Sequence, residues 1–307
     1  MSFQKLGLVY RAADHVQPWA QNSALTPTPV LHPDGFIRVF AGFRDAAGTS
    51  RIGFVDVSAS DPRQVLAVSS RPALDVGRAG CFDDNGVILG DVVLHEGRLH
   101  LFYVGFQLVA KAKFLAFSGL AVSDDWGLSF QRVSEAPILD RGPGQTTIGA
   151  IHSAHYENGR WRLWYARGDG WEIINGTPYP QYEICHVEAQ DLLEIPRQGT
   201  LCVPVTPPEY RIGRPRVYRD GKGYVLYYTK GTTQGDYFPG KAYSADGLHW
   251  ERRDETFELA LGSEGWDAQH LCYPAFIQAG DREYVFYNGN NMGVDGFGVA
   301  VRPLRPA

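Results

Sequence analysis

RLHLFYVGF, residues 98–106, is a nine-residue run dominated by apolar and aromatic side chains, and it returns four more times along the chain. The copies are FIRVFAGF (36–43), RWRLWYARG (160–168), GYVLYYTKG (223–231) and EYVFYNGN (283–290). Phe40, Tyr103, Tyr165, Tyr227 and Tyr287 take equivalent places, about 60 residues apart. Four of the five copies follow a turn: PDG (33–35), HEG (95–97), ENG (157–159) and DGKG (220–223). Aromatic and β-branched runs bounded by Gly, Asn and Asp read as strands, and recurrence at a fixed period reads as a repeat architecture.

Each copy is preceded by a second apolar strand: PTPVL (27–31), GVILGDVVL (86–94), GAIHSAHY (149–156), RPRVY (214–218) and LCYPAFI (271–277). Each is followed by a strand of small residues, RIGFVDVS, SGLAVSDD, YEICHVEA, GKAYSADG and FGVAV. An outer strand follows in some repeats, as in LSFQRV (128–133) and HWERRD (249–254). Five sheets of three or four strands at a fixed period describe an all-β chain, a single five-bladed β-propeller with a central funnel. The last repeat stops after its third strand, and KLGLVYR (5–11) has no repeat of its own. That leading strand is expected to close the ring and cover the exposed edge.

The composition agrees: 307 residues with 16 Tyr, 16 Phe, 35 Gly and 19 Pro suit short strands and many turns. No hinge of biased composition interrupts the chain, so residues 1–307 are expected to form one domain. A net charge of -5 without a basic patch argues against nucleic acid as a partner. No apolar run is long enough to span a membrane. The first residues lack a signal-peptide pattern, and Cys81, Cys185, Cys202 and Cys272 are scattered. Reduced thiols and a cytoplasmic location are therefore expected. SDDWGLSF (123–130) and SADGLHW (244–250) fit the Asp-box turn, whose Asp, Gly and aromatic serve the turn itself.

In a propeller the polar residues at the starts of the innermost strands converge on the funnel. Thr26 and Thr28, then Arg44 and Asp45, come from the first repeat; Asp83 and Asp84 come from the second. His152, His155, Trp171 and Glu183 come from the third, with Arg211, Arg214 and Arg216 from the fourth. Trp266, Asp267, Gln269, Tyr273, Asn288 and Asn290 come from the fifth. Carboxylates, arginines, amides and aromatics together suit a polyhydroxylated ligand. Asp83, Asp84, Asp45, Glu183 and Asp267 are the candidate acids and bases. Arg44, His152, His155, Trp171, Arg214, Trp266, Gln269, Tyr273, Asn288 and Asn290 are the candidate sugar contacts. Structural alternatives stand beside these. Asp83 and Asp84 also fit a turn cap, Arg44–Asp45 a loop ion pair, and the two histidines packing roles. Residues i and i+3 of a regular strand face opposite sides, which disfavours a shared metal. No P-loop, dinucleotide fingerprint or Ser-His-Asp pattern is present, so no cofactor is expected, and a cation at the axis is left open.

The segments GFRDAAGTSRIGFVDV, GCFDDNGVILGDVVL, GLAVSDDWGLSFQRV, IGRPRVYRDGKGYVLYY and EGWDAQHLCYPAF with YVFYNGNNMGVDGFGVAV resemble, in order and over nearly the whole chain, a known family. It is the glycosyl-hydrolase-like five-bladed propellers of bacterial polysaccharide gene clusters, distantly similar to arabinanases, β-xylosidases, invertases and mannoside phosphorylases. The resemblance implies an enzyme acting at a glycosidic bond of a sugar or oligosaccharide, and Arg44 and Arg214 suit an acidic or phosphorylated one. It also implies an Asp base in blade one, an Asp in blade two and a Glu acid in blade three. Here blade one reads Thr26-Pro27-Thr28-Pro29 and blade three Gly149-Ala150-Ile151-His152, without a carboxylate, while Asp83 or Asp84 matches the second. A non-catalytic sugar-binding propeller and a phosphorylase or glycosyltransferase, with Arg44 and Arg214 holding phosphate, are the alternatives.

Overall fold

A computed structural model describes residues 2–304, and of Asp236 the backbone only. Strand β1 (Gln4–Arg11) precedes five antiparallel units. Unit one is β2 (Asn22–Leu31), β3 (Phe36–Arg44), β4 (Ser50–Ser58) and β5 (Val65–Val68). Unit two is β6 (Val87–His95), β7 (Arg98–Gln107), β8 (Leu115–Ser123) and β9 (Gln131–Arg132). Unit three is β10 (Ile148–Glu157), β11 (Arg160–Ile174), β12 (Thr177–Ala189) and β13 (Thr200–Val203). Unit four is β14 (Glu209–Asp220), β15 (Gly223–Thr232), β16 (Gly235–Ser244) and β17 (Glu251–Arg252). Unit five holds β18 (Cys272–Ala279), β19 (Arg282–Asn288) and β20 (Gly296–Pro303). The expected N-terminal strand does supply its fourth member, because β1 pairs antiparallel with β20.

The repeated aromatic runs are second strands buried on both faces. Consecutive side chains point to opposite sides of a strand, so each run packs against two neighbours at once. In β7, Leu99, Leu101 and Tyr103 pack with Phe40 and Ile52 of unit one. Phe102 packs the other way, with Ile151 and Leu163 of unit three. In β11, Leu163 and Tyr165 face unit two while Trp164 faces Ile212 and Leu226 of unit four. Units one and five share a core of Val39, Ala41 and Phe43 with Tyr284, Phe286 and Phe297.

The first strands touch in a cycle: β2 with β6, β6 with β10, β10 with β14, β14 with β18, and β18 with β2. Units two, three and four are also joined by short parallel bridges, at Ile148–Ala116 and at Tyr182–Arg211. The two expected outer strands are shorter than their sequences suggest, two residues each. Their leading residues belong to the Asp-box turns. Asp125 accepts from the Ser129 N–H at 3.0 Å, and Asp246 accepts from that of His249 at 2.9 Å. Each turn is held by the preceding unit, Arg38 donating to the Trp126 carbonyl and Arg162 to that of Asp246.

Candidate functional site

All five first strands slip register at the same level. The slips fall between Leu25 and Thr28, Leu89 and Asp91, Ile151 and Ser153, Gly213 and Arg216, and Cys272 and Ala275. An extra residue in one strand bends it and re-aims a side chain. The residues so placed are Thr26, Gly90, His152, Arg214 and Tyr273. Thr26, Arg214 and Tyr273 have φ of +55, +56 and +57° respectively, and each is followed by a proline. Side chains other than glycine avoid that region, so these conformations persist only where the surroundings enforce them. Asn288 shows how. Its Oδ1 accepts the Thr26 N–H at 2.7 Å, while its Nδ2 donates to the Ala24 and Gly296 carbonyls at 2.8 Å each.

Thr26, His152, Arg214 and Tyr273 line one cavity of about 350 Å³ at the inner ends of the sheets. Arg214 donates to the Leu89 carbonyl at 2.5 Å, lies 3.5 Å from His152 Nδ1, and sits 5.1 Å from the centre of the Tyr273 ring. No carboxylate lies within 4 Å of its guanidinium among the described residues. Burial lowers its pKa. Burial, then the charges of Arg214 and Arg216, hold the His152 imidazole well below its ordinary value, so His152 is neutral at pH 7. The Thr26 hydroxyl is buried without a hydrogen-bond partner. Arg44 reaches the cavity from the end of β3, and Lys113 from the loop that follows β7. Arg211 reaches it among the rings of Tyr179, Tyr182, Tyr210 and Tyr237, with centroids 4.9–6.0 Å away. Among the described residues no Asp or Glu lines this cavity.

The five candidate acids and bases stand elsewhere. Asp83 is fully buried, but it faces outward and accepts from Arg132 Nε of the outer strand at 2.8 Å. Asp84 accepts the Gly80 N–H at 2.8 Å and closes the turn before β6. The inner-strand position expected of them is occupied by Gly90 and Asp91. Asp91 turns below the cavity to Arg216 and to the Ala154 N–H. Asp45 caps its own loop through the Ala47 and Thr49 N–H groups and pairs with Arg51 rather than Arg44. Glu183 accepts the Val205 N–H at 3.3 Å in a separate groove of about 770 Å³ with Arg167, Asp169 and Glu172. Asp267 pairs with Lys5 at 2.5 Å and accepts from the Tyr287 hydroxyl at 2.9 Å.

Of the candidate contacts, Arg44, His152, Arg214 and Tyr273 come together in the cavity. His155 is turned to the Val217 carbonyl and Glu157. The extra residue at His152 breaks the parity between the two histidines. Trp171 packs edge-on against Phe114, itself a cavity residue, and Trp266 stacks on Tyr287. Gln269 and Asn290 bind each other through the Gln269 N–H and Asn290 Oδ1. Asn288 acts behind the wall, on Thr26. Tyr179, Tyr182, Tyr237 and Lys113 are contacts that pattern reading missed. For the three tyrosines the signal is the β11–β12 and β15–β16 hairpins that carry them.

The fold is that of glycoside-hydrolase-type β-structures. Among solved structures, a glycoside hydrolase superimposes with a TM-score of 0.73 at 16% identity, over 99% of this chain and 92% of its own. A thermostable family-43 glycoside hydrolase gives 0.68 at 16%, over 95% and 93%. A β-1,2-mannobiose phosphorylase from Listeria innocua gives 0.71 at 12%, over 98% and 96%. At these identities the likeness is one of fold. In sequence, the chain is 27% identical over 311 residues to Uncharacterized protein Rv1502 of Mycobacterium tuberculosis, covering 98% of this chain and 99% of that one. No family model matches.

Proposed function

We propose that the five units close into a single five-bladed propeller and that its axial cavity binds a sugar derivative carrying a carboxylate or phosphate. The observation that carries this is the Arg214 guanidinium, held at the axis beside a neutral His152 with no carboxylate within 4 Å of it among the described residues. An uncompensated cation in such a place is costly, and an anionic ligand group would relieve it. Arg44 and Lys113 add positive charge from the rim, and the tyrosines offer flat faces to a ring. The unpartnered Thr26 hydroxyl is a further donor for the anion. Hydrolysis by two carboxylates needs an acid and a base roughly 5–9.5 Å apart at the bond. The cavity wall supports recognition of an anionic sugar better than that chemistry.

Calorimetric titration of the full chain with glucuronate, glucose 1-phosphate and glucose tests this proposal. Binding of an anionic sugar and none of glucose is expected, with Arg214→Met weakening it by about 10- to 100-fold, the size of a charged hydrogen bond. Equal binding of glucose, or an Arg214→Met variant of unchanged affinity, would overturn it. Liberation of sugar from a neutral glycoside at enzymatic rates would favour hydrolysis instead.

A further inference from the structure

The rest of the cavity wall is unusual for a site that takes a sugar. Leu25, Ile88, Val104, Ala116, Ile148 and Ala150 belong to a hydrophobic cluster in which every member faces the cavity. These six are each less than a tenth exposed. Across the whole cluster, partly buried members included, only Tyr182 bears a hydrogen-bonding hydroxyl. The backbone offers little more, since Ile88 is registered against Val104 and Ala150 against Ala166 inside antiparallel ladders.

A ring hydroxyl pressed against Ile88 or Val104 loses its water and finds no partner, which opposes binding. A methyl, O-methyl or O-acyl group in the same place gains from leaving water. Cations, tyrosines and aliphatic side chains lining one cavity describe an amphiphilic ligand. Resting on the anionic-sugar assignment above, we infer that the bound sugar, besides its anionic group, carries a deoxygenated or O-alkylated position. Arg214 and Thr26 take the acid, and Ile88 and Val104 take the alkylated group.

The test is calorimetric titration of the full chain with matched pairs. One set is glucuronate against its 2-, 3- and 4-O-methyl derivatives; the other is galactose 1-phosphate against 6-deoxygalactose 1-phosphate. The two sets separate a carboxylate head from a phosphate head. At least one methylated or deoxy member is expected to bind about 10-fold or more tightly than its parent, the discrimination one methyl-sized group supplies in an apolar pocket. Val104→Thr, nearly the same size, is expected to narrow that preference at least 3-fold. Met292→Gln, at the partly buried edge of the wall, gives the same readout if Val104→Thr does not fold. Parents that bind as tightly as every derivative would overturn the inference and leave the anionic site standing. Failure of every anionic sugar to bind would overturn the underlying assignment as well.

Discussion

Asp83 and Arg214 are both charged residues drawn into the interior, and their surroundings give them opposite meanings. The Asp83 carboxylate meets Arg132 and is spent on joining an inner loop to an outer strand. The Arg214 guanidinium meets a carbonyl, a neutral imidazole and an aromatic ring, and keeps its charge available. A buried residue with a measurable consequence is His186, which lies against Trp164 with its Nε2 unpartnered. Burial, then the Arg162 charge, push its pKa from 6.5 down to about 4. Above pH 6.5 the imidazole is neutral whether the chain is folded or not, so it contributes no pH dependence. Between pH 6.5 and about 4 the unfolded chain takes up a proton that the folded chain refuses. Stability is therefore expected to fall over that window, by up to about 1.4 kcal/mol per pH unit for this one group. His152 adds a loss of the same sign. Urea unfolding at stepped pH measures the loss, and His186→Leu is expected to flatten its own share of the slope.

The inner strands work as a set because all five slip register at one level and three of them hand a side chain to the next. Asp91 of β6 accepts the Ala154 N–H of β10 at 3.0 Å, and Ser153 of β10 accepts the Val217 N–H of β14 at 3.1 Å. Tyr218 of β14 accepts the Phe276 N–H of β18 at 2.9 Å. Gly90 is the one glycine among the five re-aimed positions, and its neighbours explain it. A β-carbon there would lie 2.2 Å from the Ile151 carbonyl oxygen and 2.6 Å from that of Phe102, both backbone atoms. Neither can move without shifting a strand. Gly90→Ala is therefore expected to destabilise the chain by about 2 kcal/mol or more, as overpacking does, read as a lowered denaturation midpoint. Because β6 also carries Ile88, the same variant is expected to weaken ligand binding in the cavity.

At the scale of the whole molecule, the first and last strands meet in unit five. β1 lies along β20, and Lys5 reaches Asp267, which is nearly inaccessible. Removing Lys5 strands that carboxylate with, among the described residues, only the Tyr287 hydroxyl. Lys5→Met is expected to cost about 3 kcal/mol in chemical denaturation, in the range for breaking a buried pair from one side. Removing residues 1–11 is expected to go further, exposing β20 as an edge and promoting association, which light scattering would detect. How much of this was legible beforehand follows from what each feature depends on. The five aromatic second strands and the pairing of KLGLVYR with the last strand were readable because strand alternation and turn chemistry are local. Asp83 and Asp84 were placed at the funnel because they precede β6. Their direction depends on the loop that turns Asp83 toward Arg132, 49 residues away.

The sequence by itself determined the repeat, the all-β class and the N-terminal pairing, because each is written in short-range periodicity of apolar and turn residues. It also carried the Thr26-Pro27, Arg214-Pro215 and Tyr273-Pro274 pairs that mark three of the five slipped positions. Only the tertiary structure decided which side chains share the cavity. One extra residue in a strand reverses which face every later side chain takes, and that slip is held by neighbours from other repeats, such as Asn288 behind Thr26. The candidate carboxylates were thereby left in ion pairs and turns, while an arginine and an apolar wall were brought together at the centre.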